Sequence, residues 1–304
     1  MRFERYPGRS DLRIAVGIAT TGRRPILHSV VPHLLSQTRP ADSIVICAAN
    51  PEDVDADAMS AQLSNARIVF AERGLCRQRN RILGSVEDAD ILLFLDDDFL
   101  LAPNYLEETL RIFRGYPDVV LSTGTVDADG ILGPGIPLED GLRLIRTHST
   151  SRSAGCEKPV YSGYGCNMAV RLSTVHGYGL RFDENLPLYG WLEDVDFSRQ
   201  LARYGRIVTS ERLHGVHLGT KSGRTSGLRL GYSQIANPVY LMGKKTMSPR
   251  HAAPQIMRNL VANAVKIVWP EPWVDRRGRF LGNMRAVVDL VRGRLSPQNV
   301  NALE

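Results

Sequence analysis

The chain has 304 residues, 43% of them apolar, which is enough to bury the core of one large domain or of a domain with an appendage and excludes disorder across its bulk. A formal charge of +6 and a pI near 9.3 favour acidic partners, whether a nucleotide diphosphate, a nucleic acid or an anionic membrane, without choosing among them. Met1 to Pro7 lacks the apolar core of a signal peptide and no later stretch approaches bilayer-spanning length, so the expectation is a cytoplasmic protein whose membrane contact, if any, is peripheral.

From the front, Leu12 to Ala19 is an apolar strand running into the polar turn Thr20-Thr21-Gly22-Arg23-Arg24-Pro25, with Pro25 placed to start a helix. Leu27, Val30, Val31, Leu34 and Leu35 then recur at helical spacing, with a kink expected at Pro32. Ser43 to Ala48 is the second strand, followed by a helix from about Asp53 to Leu63, a strand at Arg67 to Phe70 and a helix from about Gly74 to Leu83. The apolar run Ile91 to Leu95 makes the fourth strand. This βαβαβαβ order argues for an α/β fold with a mainly parallel sheet covered by helices on both faces. Cys47, Cys76, Cys156 and Cys166 show no CxxC spacing, which suggests reduced thiols.

The fourth strand ends in Asp96-Asp97-Asp98. Ligand sites of alternating α/β chains collect at the carboxyl ends of strands, and oxygen ligands suit Mg²⁺ or Mn²⁺. Alternation along an extended segment lets Asp96 and Asp98 share a site while Asp97 faces elsewhere. The alternative is an acidic turn that caps a helix beginning near Pro103. Past Gly124 the pattern loosens, and residues 127 to 158 read as an inserted loop. Order returns at Tyr161 to Val170, where glycines precede a short strand. Trp191 to Phe197 opens a helix continuing through Leu201, with Glu193, Asp194 and Asp196 in its first turn, where acids also offset the helix dipole.

Taken in order, Thr20 and Arg23, Gln37-Thr38, Arg77 to Asn80, Asp96-Asp97-Asp98, Gly165 to Arg171, Phe182-Asp183-Glu184, Glu193 to Asp196 and His217 resemble an inverting GT-A glycosyltransferase of family 2, of the bacterial polysaccharide type. The resemblance runs from about Arg13 to His217. It implies a Rossmann-like catalytic domain over 1–227, with a nucleotide-binding half near 11–124 and an acceptor half near 160–227. It implies transfer of one sugar from a nucleotide-diphosphate sugar to an acceptor hydroxyl, with Mg²⁺ or Mn²⁺ held by Asp98, Asp96 and His217. His214 competes with His217 for that place. Asp96 would also contact the ribose, with Asp97 beside it, and Thr20 and Arg23 would line the donor site. Asp194 is implied as the general base and Glu193 as its support. Lys221 and Arg224 are suited to a loop that closes on the diphosphate. Arg77 and Asn80 share a helix face, Arg79 points away from them, and Arg77 is therefore favoured near the base or phosphates. Where the family places an acid to read the base, the chain has Cys47-Ala48-Ala49-Asn50-Pro51, so Asn50 or Asp53 would substitute and the base stays open, UDP being the default.

Gln200-Leu201-Ala202-Arg203-Tyr204 is similar to the QxxRW signature of processive synthases, but it lies within the helix directly after Glu193-Asp194 and lacks the tryptophan, which favours single-sugar transfer. Beyond Gly227, helices are expected at Leu228 to Met242, His251 to Val268 and about Met284 to Val291, with Trp269-Pro270-Glu271-Pro272-Trp273 and Arg276-Arg277-Gly278-Arg279 between the last two. Aromatic residues next to arginines on this helical extension, 228–304, suit an anionic bilayer surface at the inner face of the plasma membrane, or alternatively packing on the catalytic domain or a dimer contact. A polyprenyl-diphosphate-linked saccharide, in exopolysaccharide or lipopolysaccharide assembly, is the acceptor the family resemblance would then imply. The alternatives are a nucleotidyltransferase acting on sugar phosphates, for which Thr20 to Arg24 supplies one glycine where a Gly-rich loop is needed, and a catalytically inactive nucleotide-sugar-binding domain. Nucleic-acid binding would rest on net charge alone and is set aside.

Overall fold

The computed structural model describes residues 11–148, 157–223 and 225–303. The chain begins with β1 (Ile14–Thr20), α1 (Arg24–Val30), β2 (Ser43–Ala48), α2 (Ala56–Gln62), β3 (Ala66–Phe70), α3 (Leu75–Leu83) and β4 (Ile91–Asp96). Pro32 ends α1 by turning the next six residues into a 3₁₀ helix, because its missing N–H and ring oppose a continuous α-helix. Leu27, Val30, Val31 and Leu34 stay buried through that change, whereas Leu35 is exposed.

Then come β5 (Phe99–Leu101), α4 (Tyr105–Gly115), β6 (Val119–Asp129), α5 (Leu138–His148), β7 (Lys158–Pro159), β8 (Asn167–Arg171), α6 (Leu172–Gly177), α7 (Glu193–Leu201) and β9 (Arg206–His217). The chain closes with α8 (Gly227–Lys244), α9 (Pro249–Val265), α10 (Arg276–Val291) and a 3₁₀ turn at Pro297–Ala302. The sheet order is β3-β2-β1-β4-β8-β6-β9-β5, with β7 beside β9. Strands β3, β2, β1 and β4 pair in parallel, as the alternating pattern predicts. Beyond β4 the sheet is mixed: β8 is antiparallel to both β4 and β6, while β6 and β9 are parallel.

Alternation divides the core between the two faces of the sheet. Ile14, Val16, Ile18, Leu93 and Leu95 join Tyr105 and Phe113 on one face. Ala15, Leu92 and Phe94 join Phe197 and Leu241 on the other. Gly17 is required because a Cβ there would lie 2.5 Å from Cγ2 of Ile82 on α3.

Two stretches differ from the sequence reading. Residues 127 to 148 are not an open insertion: β6 continues to Asp129, and α5 packs Ile145, with Leu138 and Leu142, against Leu100, Val216 and Leu218. The glycines and prolines between them mask an amphipathic helix. The basic segment from Arg276 is likewise the first turn of α10, capped by Asp275, which accepts from Gly278 N–H at 2.8 Å. Gly278 and Gly282 look like helix breakers, yet a Cβ on Gly282 would lie 2.1 Å from the Leu228 carbonyl and one on Gly231 would lie 2.1 Å from that of Arg279. Backbone therefore meets backbone where α8 and α10 cross. Gly282→Ala is expected to destabilise the chain by about 1–3 kcal/mol through forced separation of these helices, measured as a lower urea midpoint with an unchanged slope. An unaltered midpoint would mean that the crossing yields freely.

Candidate functional site

The carboxyl ends of β1 and β4 bring Thr20 and the acidic triplet together. Asp97 faces back into the protein, accepting from Thr20 Oγ1 at 2.8 Å and from Arg23 Nη1 at 3.0 Å. Asp96 and Asp98 face the other way, toward His217 at the end of β9, and ligand atoms of these three residues lie within 4.8 Å of one another. The triplet does not cap the helix near Pro103: α4 has Asn104 at its N-cap and no side-chain cap.

His217 Nε2 is 3.2 Å from Asp98 Oδ1, and its Nδ1 is 3.0 Å from Asp129 Oδ1. Asp129 in turn accepts from Tyr164 Oη at 2.8 Å. Burial alone would lower the His217 pKa, but Asp129 and Asp98 raise it to about 10. Burial pushes Asp97 above the ordinary carboxylate range, whereas for Asp98 it is outweighed by His217 and Arg23, which hold that group low. His214 is separate, paired with Asp127 at 2.8 Å. Between β6 and β9 the register slips three times, at Val119/Leu121, Gly124/Thr125 and Val126/Ala128, so that Thr125 stands opposite His214 and Asp129 opposite His217.

These residues fit a hard divalent cation. Asp98 is 1% exposed and its Oδ1 accepts no aligned hydrogen bond among the described residues, although it points into the cluster. Two carboxylates and an imidazole whose far nitrogen is held by a carboxylate form a donor set suited to Mg²⁺ or Mn²⁺.

The second acidic group enters through α7. Leu192, its N-cap, has φ 70°, a left-handed conformation costly for a branched residue. Asp194 Oδ2 accepts from Gly165 N–H at 3.0 Å and Oδ1 from Val195 N–H at 2.8 Å. Burial raises its pKa, and these two hydrogen bonds oppose the rise. Glu193 lies deeper, 5% exposed, with Oε1 bound to Arg79 Nη1 at 2.6 Å and Oε2 without a hydrogen-bond partner among the described residues. Burial lifts the Glu193 pKa to about 8 against the pull of Arg79. Asp196 is buried against Lys244 and Gln200, 2.8 Å from each.

Arg79 joins the two groups. It is 2% exposed, and its guanidinium reaches Glu193, Asp96 at 3.2 Å and the Gly165 carbonyl at 2.7 Å. Of the two arginines of α3, it is Arg79 and not Arg77 that lies between the acidic groups. Arg77 and Asn80 do share a face of α3, but that face looks toward Glu184: Arg77 pairs with Glu72 and Glu184, and Asn80 bonds the Phe182 carbonyl. The missed signal was an arginine placed within the buried stripe Cys76, Arg79, Ile82, Leu83. Asp129 and Tyr164 were missed too, Asp129 because its segment read as loop.

Of the other predicted donor residues, Asp53 clasps the loops after β1 and β2, accepting from Gly22 N–H at 2.6 Å and Asn50 N–H at 3.0 Å, while Asn50 itself is exposed. Residues 219 to 223 fold back over the triplet. Thr220 N–H donates to Asp98 Oδ2 at 2.7 Å, and Arg23 bonds the carbonyls of Ser222 and Thr220. Lys221 Nζ is turned to the carbonyls of Gly130 and Ile131. Arg224 lies outside the described residues, as does Cys156, whereas Cys47, Cys76 and Cys166 are buried free thiols.

The profile of the family described as "Glycosyltransferase like family 2" matches residues 12–210, a span that holds both acidic groups. Among solved structures, S. aureus TarS 1-349 is similar over 96% of this chain and 83% of its own, at 12% identity and a TM-score of 0.58. The same fragment in complex with UDP-GlcNAc is similar at 14% identity, with a TM-score of 0.58 over 96% of this chain and 84% of that one. GalNAc-T7 with UDP, GalNAc and Mn²⁺ is similar at 13% identity and a TM-score of 0.59, over 94% of this chain and 59% of that one. No curated protein sequence matches. Fold and family together define a glycosyltransferase of GT-A fold. The chain belongs to glycosyltransferase family 2.

Proposed function

We propose that this glycosyltransferase moves one sugar, with inversion, from a nucleotide-diphosphate sugar to an acceptor hydroxyl, and that the donor is a UDP-sugar. The observation that carries the reading is the meeting of two acidic groups at Arg79, which bonds both Asp96 of the Asp96/Asp98/His217 cluster and Glu193, the chain neighbour of Asp194. The UDP-GlcNAc and UDP/Mn²⁺ complexes of the two similar structures support the donor class. Residues 1–227 form the catalytic unit in this reading and 228–304 its helical extension.

Inversion by direct displacement needs a base on one side of the anomeric carbon and charge stabilisation of the departing diphosphate on the other. Asp194 suits the base: each carboxylate oxygen is fixed by one backbone N–H and keeps a lone pair for the acceptor hydroxyl. Glu193 supports the site by holding Arg79. Asp98, Asp96 and His217 would hold Mg²⁺ or Mn²⁺, which when bound supplies positive charge to the diphosphate. Arg23, and Lys221 and Arg224 after a loop movement, add cationic charge on the same side. Thr20, Asn50 and Asp97 shape the donor end, Thr20 and Asp97 by fixing Arg23. The acceptor proposed is a saccharide linked to a polyprenyl diphosphate, as in exopolysaccharide or lipopolysaccharide assembly on the cytoplasmic face of the plasma membrane.

The test is a thermal shift with UDP, GDP, dTDP and CDP, each with and without Mn²⁺. UDP at about 100 times its dissociation constant is expected to raise Tm by about 5 °C, only with Mn²⁺, and Asp98→Ala is expected to abolish the rise. A shift with GDP alone would correct the donor base, and a shift that survives Asp98→Ala would overturn the metal assignment.

A further inference from the structure

Charge is divided unevenly along the chain. Residues 228–304 carry 12 Lys and Arg against 4 Asp and Glu, a net +8, so residues 1–227 sum to −2. The basic excess accompanies an apolar surface. On α9, Met257, Val261 and Val265 follow one another at intervals of four and are 59%, 51% and 69% exposed. Leu281, Val288 and Val291 make a second stripe along α10, with Arg277 one turn before it. Neither stripe is the packing face: α8, α9 and α10 meet through Gln234, Asn263 and Asn283, which bond one another inside the bundle. The link between α9 and α10 adds Trp269, 89% exposed.

We propose that this face docks on an anionic lipid bilayer. Apolar residues at helical spacing, flanked by arginines and a tryptophan, match the requirements of a helix lying in the headgroup region. The charge decides between a bilayer and a second copy of the chain, because two copies meeting here would each bring a +8 region to the contact. The surface also runs to the rim of the candidate site. Trp273 Nε1 donates to the Leu132 carbonyl, and Leu132 is itself 83% exposed. The residues just before it, Gly130 and Ile131, hold Lys221, and Asp129 holds His217. Docking therefore sets the site beside the membrane, where a lipid-linked acceptor would be presented. That last point rests on the acceptor reading above, whereas the docking does not.

Sedimentation of the full chain with vesicles tests it, using phosphatidylcholine alone and phosphatidylcholine with about one third phosphatidylglycerol. The chain is expected to pellet with the anionic vesicles, to stay in solution with neutral ones, and to be released by salt as surface charges are screened. Val265→Glu with Trp269→Glu, and separately Leu281→Glu with Val288→Glu, are expected to weaken binding about tenfold or more by replacing inserted apolar groups with like charges. These positions are exposed, so the melting curve and the UDP–Mn²⁺ shift should be unchanged in both variants. Equal binding to neutral and anionic vesicles, or variants that bind as wild type does, would overturn the proposal. So would a concentration-dependent dimer, formed without lipid and abolished by the same variants, which would make the face a self-contact. Loss of the UDP shift in the wild-type chain would instead sink the donor reading and leave the docking result standing.

Discussion

Asp194→Asn is expected to leave nucleotide binding intact and to lower sugar transfer by about 10²–10⁴-fold, the usual contribution of a positioned base. The geometry makes the variant sharp. Both oxygens of Asp194 accept backbone N–H groups, so an amide must turn its NH₂ toward either Gly165 or Val195 and lose that bond. The structural penalty is about 1–3 kcal/mol, too little to unfold a chain of ordinary stability. The chemical penalty is larger, because an amide cannot take the acceptor's proton. Turnover and the UDP–Mn²⁺ thermal shift should be measured on one preparation. Near wild-type turnover would remove Asp194 from the base role. Loss of the shift together with turnover would mean that the residue holds the site together instead of acting in it.

Arg79→Met is expected to destabilise the chain by about 3–5 kcal/mol, the size seen when one member of a buried ion pair is removed. Glu193 would lose its one neutralising partner among the described residues and Asp96 its hydrogen bond from α3. The variant should answer to pH with a defined sign. Burial already holds the Glu193 pKa near 8, above the ordinary glutamate value, and Arg79 opposes that rise. Without the arginine the folded carboxyl keeps its proton to still higher pH, while the unfolded chain releases it in the ordinary range. Stability of the variant therefore falls as pH climbs from the ordinary glutamate range toward and past 8. Urea titrations at two pH values would show it. Adding Glu193→Gln should recover part of the loss, since a neutral amide has no charge to strand. A loss below about 1 kcal/mol, or one independent of pH, would show that water or another cation replaces Arg79.

Legibility followed periodicity. Strands β1 to β4 and helices α3 and α7 lay within a residue or two of where apolar runs and caps place them, because each carries a continuous buried pattern. The acidic groups were legible since adjacent carboxylates at strand and helix ends have few structural uses. Asp129 was not, because its strand passes through a register slip into glycines and loses its alternation. Arg79 was set aside on a rule for exposed helix faces, yet it occupies the buried one. Nothing in the bare spacing of His214 and His217 separates them. Only the pairing of β6 with β9 does so.

That pairing settles a question of phase. Asp127 and Asp129 are two residues apart on β6, whereas the histidines they meet are three apart on β9. A regular parallel ladder continued from Thr125 opposite His214 would set Ala128, not Asp129, opposite His217. The extra residue that β6 carries at the Val126/Ala128 slip, Asp127 itself, brings Asp129 into that place. Each histidine thus has a private carboxylate, and His214 cannot take over the place of His217 by a small shift of the strand. The place of the histidine proposed as a metal ligand is specified by counting residues between strands, so an insertion or deletion between Val126 and Asp129 would disturb it as surely as replacing His217 itself.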